Sequence, residues 1–152
     1  MIKLCIPDIE ELEIAAAAEA IRSGWLAHGP FNKELEALFA DYLGVRNAIT
    51  CNSCTSALLV VLKALNITGE VIIPSFSFVA TANAIVTAGA TPRFADIDYD
   101  TCNIDPEKIR GAISPKTEAI MPVHFAGQCC RMDAIVDLSL IHISEPTRPL
   151  YI

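Results

Sequence analysis

From Asn47 onward, short apolar runs alternate with helical patterns, and this alternation limits the possible folds more than any other feature of the sequence. It predicts strands at 48–51, 70–73, 93–97 and 118–123. It predicts helices at 56–65, 78–88 and 106–113, and a further helix beginning near Met132. This order indicates an α/β domain with crossover helices on a mostly parallel sheet. Because parallel strands are buried on both faces, the apolar runs 71–73 and 119–121 are predicted to be central.

Two helices are predicted before the sheet. The first begins at Asp8, with Glu11 three residues later completing a capping box, and ends near Ser23 with Gly24 behind it. The second begins after Pro30 and ends at Gly44. The predicted organisation is therefore a helical segment at 1–45 followed by an α/β domain at 46–137.

Charge and apolar patterning exclude several classes of partner. The 152-residue chain has a net charge of −7, and its eleven basic residues are scattered, which argues against a nucleic-acid surface. The most apolar stretch, 76–90, is shorter than the about 20 residues of a spanning helix. It is also interrupted by polar residues, namely Ser77, Thr81, Asn83 and Thr87. The N-terminus lacks a signal peptide's apolar region, so we expect no membrane segment and a cytoplasmic location.

The six cysteines raise the question of a metal or redox site. Cys51 and Cys54 form a Cys-x-x-Cys pair, and Cys129 is followed directly by Cys130. Without a secretion signal, reduced thiols are the expectation. No suitably spaced histidine completes a zinc set, so no metal site is predicted, and stoichiometric zinc in the purified protein would reverse this prediction.

The segment 51–58 has the features of an anion-binding turn. Ligands of parallel sheets bind outside the carboxyl ends of the strands, and here a predicted strand passes through small polar residues into a helix. The free N–H groups of the first helical turn, with the hydroxyls of Ser53, Thr55 and Ser56, can bind a phosphate. The alternative is ordinary N-capping by Asn52 or Ser53.

Polar or aromatic residues also follow the other predicted strands. Either Phe76 or Phe78 can cover a flat heteroaromatic ring, although both can instead pack in the core. Asp96 and Asp98 are suited to capping a turn. His124 can act as a general base or as a structural histidine bonded within its own loop. Together these strand ends predict a planar ligand that carries a phosphate.

A series of short motifs runs from about Ile9 to about Ile135 in a specific order and spacing. The motifs are Gly24-Trp-Leu26, Gly29-Pro30, Phe39-Ala-x-Tyr-Leu-Gly44, Ser53-x-Thr-x-Ala-Leu58, Val71-Ile-x-Pro-Ser75, Gly89-Ala-x-Pro92, Asp96-x-Asp98, Asn103-Ile-Asp105, Pro122-x-His124, Gly127 and Met132-Asp-Ala-Ile135. In this combination the chain resembles the DegT/DnrJ/EryC1/StrS family of pyridoxal-phosphate-dependent sugar aminotransferases. The resemblance implies the large domain of fold type I, the aspartate aminotransferase architecture, present here in incomplete form.

The resemblance also implies a cofactor site for pyridoxal 5′-phosphate. The turn of Ser53, Cys54, Thr55 and Ser56 corresponds to the family's phosphate-binding turn, and Phe78 corresponds to the aromatic residue that stacks on the pyridine ring. Cys54 stands where the family has glycine. Its Cβ is therefore expected to crowd the phosphate or to require a different backbone angle.

The implied reaction transfers an amino group, with glutamate as the expected donor, to a keto-sugar nucleotide in a homodimeric enzyme. Gly24, Trp25, Leu26 and His124 are expected to bind the sugar-nucleotide substrate. Two alternatives stay open, a sugar dehydratase of the same family that uses pyridoxamine phosphate, and a non-catalytic α/β module that binds a phosphate ligand.

No catalytic residue is assigned within this chain. In the family, the acid that pairs with the pyridine nitrogen and the lysine that binds the cofactor covalently both follow later than the matched region. None of the five lysines, at 3, 33, 63, 108 and 116, matches that lysine's position. The chain as written is therefore expected to be inactive.

The segment 138–152 departs from the family pattern. It resembles translated sequencing-adapter read-through, so His142, Glu145 and Arg148 are expected to have no evolved role. The alternative is a natural divergent tail.

Overall fold

The computed structural model describes residues 6–141. Lys3 and the expectations for His142, Glu145 and Arg148 lie outside the described residues. The chain divides into two compact units that meet in sequence between Thr50 and Cys51, and each unit is described by itself. The predicted boundaries after residues 45 and 137 stay predictions.

The first unit contains two helices, α1 at Glu11–Arg22 and α2 at Pro30–Leu43. Gly24, with φ +76°, follows the end of α1, and Gly44, with φ +65°, ends α2, which confirms both predicted glycine stops. The predicted capping pair of Asp8 and Glu11 is wrong. The Glu13 side chain instead accepts the N–H of Glu10 at 2.8 Å, because the same acidic spacing recurs two residues later.

The second unit is an α/β structure. Its helices are α3 Cys54–Ala64, α4 Val79–Ala88, α5 Pro106–Ala112 and α6 Met132–Ile141, and its strands are β1 Glu70–Pro74, β2 Thr91–Ala95 and β3 Thr117–Ile120. The strands are parallel and lie in the order β2-β1-β3. The predicted α/β class and parallel pairing are confirmed. The pairing places Val71–Ile73 at the centre, also as predicted.

Two details of the predicted sheet are wrong. No strand forms at 48–51, since the Thr50 N–H donates to the Glu36 side chain at 2.8 Å and not to a neighbouring strand. The run 119–121 is not central among the described strands. Ala119 and Ile120 belong to β3, and Met121 follows it. Among the described residues β3 pairs with β1 alone, so Ala119 and Ile120 are half-buried.

The core of the second unit lies on both faces of β1, because alternate strand residues point to opposite sides. On one face Val71 and Ile73 pack with Leu62 of α3 and Ile85 of α4. On the other face Ile72 packs with residues of α5 and α6, namely Ile109, Ile135 and Leu138. The sheet is thus covered by two helices on each side.

At the amino ends of the strands, a carboxylate fastens the start of β1. Glu118 accepts the N–H groups of Thr68 and Gly69 at 2.8 and 2.9 Å, and these bonds lower its pKa. Glu70 accepts from Ser114 Oγ and from the Arg93 guanidinium on neighbouring segments. Polar side chains at this edge therefore stabilise the sheet.

None of the helices in the described part of the chain combines the length and apolarity needed to cross a membrane.

Candidate functional site

Short connections bring two helix N-termini to the carboxyl edge of β1. Residues 75–78 link the end of β1 to α4, so α4 begins at this edge. Residues 65–69 link the end of α3 to the start of β1, and α3 packs on the same sheet face. An 11-residue helix and a 5-residue strand both rise about 16 Å, so α3 also begins near the end of β1.

The turn at the start of α3 combines a side-chain cap with unsatisfied backbone donors. Ser53 is the N-cap, and its Oγ accepts the N–H of Ser56 at 3.1 Å and donates to Ser56 Oγ at 3.0 Å. The N–H of Ala57 bonds to Ser53 O. Among the described residues, nothing accepts from the N–H groups of Cys54 and Thr55. Capping by Ser53 and anion binding are therefore compatible, because the cap uses only part of the donor set.

This turn faces outward. Ser53, Cys54 and Thr55 are exposed, and Ser56 is half-buried. Cys54 has ordinary helical backbone geometry, so the different backbone angle expected from the loss of glycine is not required. Its side chain therefore adds volume beside the free donors without straining the turn.

The aromatic residues after β1 remain accessible. Phe78 is the N-cap of α4 and is 78% exposed, and Phe76 is 48% exposed. Neither ring packs in the core, which removes the alternative of two buried phenylalanines. Phe76 contacts Phe125, with ring centroids 4.9 Å apart and tilted by 52°. This contact joins the loops that follow β1 and β3.

The loop after β2 meets the same edge. The Ser75 N–H donates to Ala95 O at 2.8 Å, which connects the ends of β1 and β2. Asp98 Oδ1 accepts from the N–H groups of Asp100 and Thr101 and from the Thr101 hydroxyl, so Asp98 caps a turn as predicted. These bonds, those from Thr101 first, lower its pKa and hold it ionised. Asp98 thus acts within its own turn.

His124 lies in the loop after β3 and is bonded within it. The N–H of Cys130 donates to His124 Nδ1 at 3.1 Å, as the structural alternative predicts. The imidazole is nevertheless exposed at the surface of this edge. It therefore keeps its second nitrogen available to a ligand.

Asn103 is a buried polar residue to which the sequence pattern assigns no function. The residue is 4% exposed, and its side chain bonds to three backbone groups of the loop that carries His124. Its only sequence signal is the quoted motif Asn103-Ile-Asp105, because burial of a polar side chain between distant segments leaves no local pattern.

Gly24, Trp25 and Leu26 belong to the first unit, whereas the other predicted site residues belong to the second. Trp25 and Leu26 are exposed, and the Trp25 ring lies against buried Gly29, where an added Cβ would lie 3.2 Å from it. Their predicted contact with substrate stays a prediction.

A carboxylate of α2 organises the polar part of the first unit. Glu36 Oε1 accepts from the Thr50 N–H and hydroxyl, each at 2.8 Å, and pairs with His28 Nε2 at 3.2 Å. One turn earlier, Asn32 accepts the Gly29 N–H and donates to Thr50 Oγ1. The bonds from Thr50, then that from His28, lower the pKa of Glu36 to about 2. The carboxylate thus ties both flanking loops to α2.

The cysteines form no recognisable metal centre in the described residues, where no three His, Cys, Asp or Glu side chains cluster suitably. Cys51, Cys54 and Cys129 are exposed free thiols, and Cys130 is a buried one. Burial, above all, raises the pKa of Cys130. This thiol is therefore protonated and acts as a donor to Val123 O.

By fold, the second unit is an α/β structure whose polar loops lie at the carboxyl edge of a parallel sheet, the edge at which such sheets bind ligands. The model of the DegT/DnrJ/EryC1/StrS aminotransferase family matches residues 7–142, and the chain belongs to this family. The match confirms the resemblance seen in the motifs. Solved structures that are similar to this chain confirm the partial fold type I architecture.

Similar proteins include the spore coat polysaccharide biosynthesis protein SpsC of Bacillus subtilis, 47% identical over 90% of this chain and 36% of its own length. GDP-perosamine synthase of Caulobacter vibrioides is 41% identical over 93% of this chain and 39% of its own. The PLP-form structure of Spr1654 from Streptococcus pneumoniae has a TM-score of 0.81 and 37% identity, covering 87% of this chain and 34% of its own. The chain thus spans about a third of the length of these proteins.

Proposed function

We propose that this chain is part of a pyridoxal-phosphate-dependent aminotransferase that acts on keto-sugar nucleotides with glutamate as amino donor. The observation that carries the proposal is the start of α3. There, two backbone N–H groups that have no acceptor among the described residues belong to exposed residues, at the same sheet edge as exposed aromatic rings. Family membership supplies the class of ligand that such an edge binds.

The residues at this edge fit the cofactor's phosphate. The N–H groups of Cys54 and Thr55, with the Thr55 hydroxyl, are exposed donors at the positive end of a helix, which favours an anion. An inward-facing turn packed against side chains would have excluded a phosphate. We assign phosphate binding to Ser53, Cys54, Thr55 and Ser56, with Phe78 covering the ring.

Bound pyridoxal phosphate supplies the electron-accepting ring that carries the amino group between donor and acceptor. The described residues bind and orient. The exposed ring of Phe78 would cover the pyridine ring, and His124 would offer its second nitrogen to the substrate. Gly24, Trp25 and Leu26 are assigned to the sugar nucleotide.

We further propose that the 152-residue chain binds the cofactor without a covalent bond and does not transaminate. Lys63, in the last turn of α3, and Lys116, before β3, both lie at the opposite edge of the sheet. Lys108 is exposed on α5. None of them is placed beside the proposed phosphate turn.

A homodimer and a cytoplasmic location are part of the same proposal for the full-length enzyme. The support for a dimer is the apolar surface of the first unit, where large side chains of α1 and α2, such as Leu12, Leu38 and Tyr42, are exposed. Surfaces of this kind mark sites of protein–protein contact.

The test is an NMR titration of the 152-residue chain with pyridoxal 5′-phosphate, with pyridoxal and with inorganic phosphate. We expect the amide signals of Cys54 and Thr55 to shift with both phosphate-bearing probes and not with pyridoxal. Thr55→Asp suits the helix N-terminus but repels a phosphate, so it should weaken pyridoxal 5′-phosphate binding at least about tenfold while the fold persists. Thr87→Asp, at an exposed position near the end of α4, is the matched control. Equal binding of pyridoxal, or an undiminished affinity in Thr55→Asp, would refute the phosphate site.

A further inference from the structure

The loop at 124–130, called here the His124 loop, depends on one side chain outside it. Asn103 Oδ1 accepts the N–H of Phe125 at 2.9 Å. Its Nδ2 donates to Gln128 O at 3.0 Å and to Cys129 O at 3.3 Å. All three bonds go to backbone groups of the His124 loop, so one amide group fixes both of its ends.

This loop needs such a fixed support, because its backbone is unusual. Ala126 has φ +51° and Gly127 has φ +82°, two consecutive residues in the left-handed region. A non-glycine residue in this region is unfavourable unless surrounding contacts hold it. The internal bonds from Gly127 N to His124 O and from Gln128 N to Phe125 O close the turn. The bonds from Asn103 then fasten that turn to the segment before α5.

Asn103 is itself held rigidly. The N–H of Asp98 donates to Asn103 O at 2.8 Å, and Thr101 Oγ1 accepts the Asn103 N–H at 3.3 Å. Asp98 in turn accepts three bonds from the residues that follow it. The amide of Asn103 is therefore presented from an ordered turn and has little freedom to follow the loop if the loop moves.

The arrangement of the loop decides which nitrogen of His124 carries the proton. A backbone N–H can only donate, so the bond from Cys130 N requires His124 Nδ1 to be without a proton. In the neutral ring the proton must then be on Nε2. The exposed nitrogen is thus a hydrogen-bond donor, and it is not a base.

We propose that Asn103 is a positioning residue that, through the His124 loop, fixes His124 as an Nε2–H donor at the carboxyl edge of the sheet. His124 then binds an acceptor oxygen of the ligand and removes no proton from it. The ligand part of this inference rests on the proposed function. The tautomer and its dependence on Asn103 do not, since both are properties of the free chain.

The first test needs no substitution. In the 152-residue chain with labelled histidine, at a pH where the ring is neutral, the nitrogen shifts of His124 should identify Nδ1 as bare and Nε2 as protonated. Couplings across hydrogen bonds should link Cys130 N to His124 Nδ1, and Asn103 Nδ2 to the carbonyl carbon of Gln128. A proton on Nδ1, or absence of the coupling to Asn103, would overturn the proposal.

The second test uses Asn103→Asp, which keeps the acceptor for Phe125 N–H but sets an oxygen against two carbonyl oxygens. We expect a mixture of His124 tautomers and at least about tenfold faster exchange of the Cys130 amide. The substitution removes the two hydrogen bonds to Gln128 O and Cys129 O and replaces them with repulsion between oxygens, which releases the loop. Asn83→Asp makes the same chemical change at an exposed position of α4 and should leave both readouts unchanged.

These outcomes separate the inference from the proposed function. An unchanged tautomer in a folded Asn103→Asp variant would refute the positioning role, whether or not the chain binds pyridoxal 5′-phosphate. If the variant does not fold, the couplings in the unsubstituted chain decide the question. If the unsubstituted chain has the Nε2–H tautomer but does not bind pyridoxal 5′-phosphate, the proposed function alone is refuted.

Discussion

The two units of this chain are stabilised in different ways. In the first unit, neither α1 nor α2 buries a side chain, and Glu36 and Asn32 accept hydrogen bonds from backbone N–H groups of the flanking loops. In the second unit, β1 is buried on both faces between pairs of helices. Helical periodicity was thus sufficient for helices to form in both units. A core formed only in the second unit, where the helices pack against an apolar sheet.

The largest expected effect is a loss of unfolding free energy on replacing a leucine by alanine, compared between one leucine in each unit. Leu62→Ala removes a side chain that is 0% exposed in the core of the second unit, which should cost about 2–5 kcal/mol of unfolding free energy. Leu38→Ala, on α2 at 62% exposure, should cost less than about 1 kcal/mol. Urea unfolding followed by far-UV circular dichroism measures both. Similar losses at the two positions would contradict the contrast.

A smaller effect sharpens the account of the second unit. At Gly69 an added Cβ would lie 2.5 Å from Lys116 O and 2.8 Å from Glu118 Cδ, so Gly69→Ala must displace backbone and should cost about 1–3 kcal/mol. At Gly111, in α5, nothing lies within 4 Å of an added Cβ. Gly111→Ala should therefore be neutral or stabilising by up to about 1 kcal/mol. The same unfolding experiment compares them, and a tolerated Gly69→Ala would argue against close packing at the amino edge.

The smallest effect concerns the first unit and is local. The bonds from Thr50, then that from His28, lower the pKa of Glu36 from the usual glutamate value of 4.5 to about 2. Its folded pKa is depressed, so its contribution is complete above about pH 4.5 and is lost as the pH falls through about 2. We expect the hydrogen-exchange protection of the Thr50 amide to fall across this window.

Two variants isolate that titration. Glu36→Gln keeps an acceptor for Thr50 but cannot titrate, so protection should be lower and nearly independent of pH. Glu34→Gln, at an exposed position of the same helix, should behave like the unsubstituted chain. A pH dependence that survives in Glu36→Gln would exclude Glu36 as its origin.

Most of the second unit follows from local sequence. The strand at 70–73 and the helix at 106–113 were predicted to within one residue, because apolar runs and the proline at position 106 are local signals. The strand at 48–51 was not found, because an apolar run becomes a strand only beside a partner. Ile49 is exposed, and the N–H of Thr50 bonds to Glu36 fourteen residues away.

In the candidate site, too, some residues could be predicted from local sequence and others could not. Ser53 and Phe78 could be assigned to the site from the sequence, because both lie beside predicted helix starts and the family resemblance implies a role for each. Nothing local distinguishes Asn103, whose partners are 22 to 26 residues away. The sequence also left His124 open between a base and a structural residue, since the choice depends on which atom lies beside Nδ1.

The sequence by itself determined the α/β class, the glycine ends of the helices, the family and the residues at the ends of the strands, because periodicity, capping and motif spacing are encoded over a few residues. Only the tertiary structure decided which runs pair as strands, which helices acquire a buried face and which nitrogen of His124 faces the surface. The physical reason is that burial and hydrogen bonding are relations between segments far apart in the chain, and no short window contains both partners.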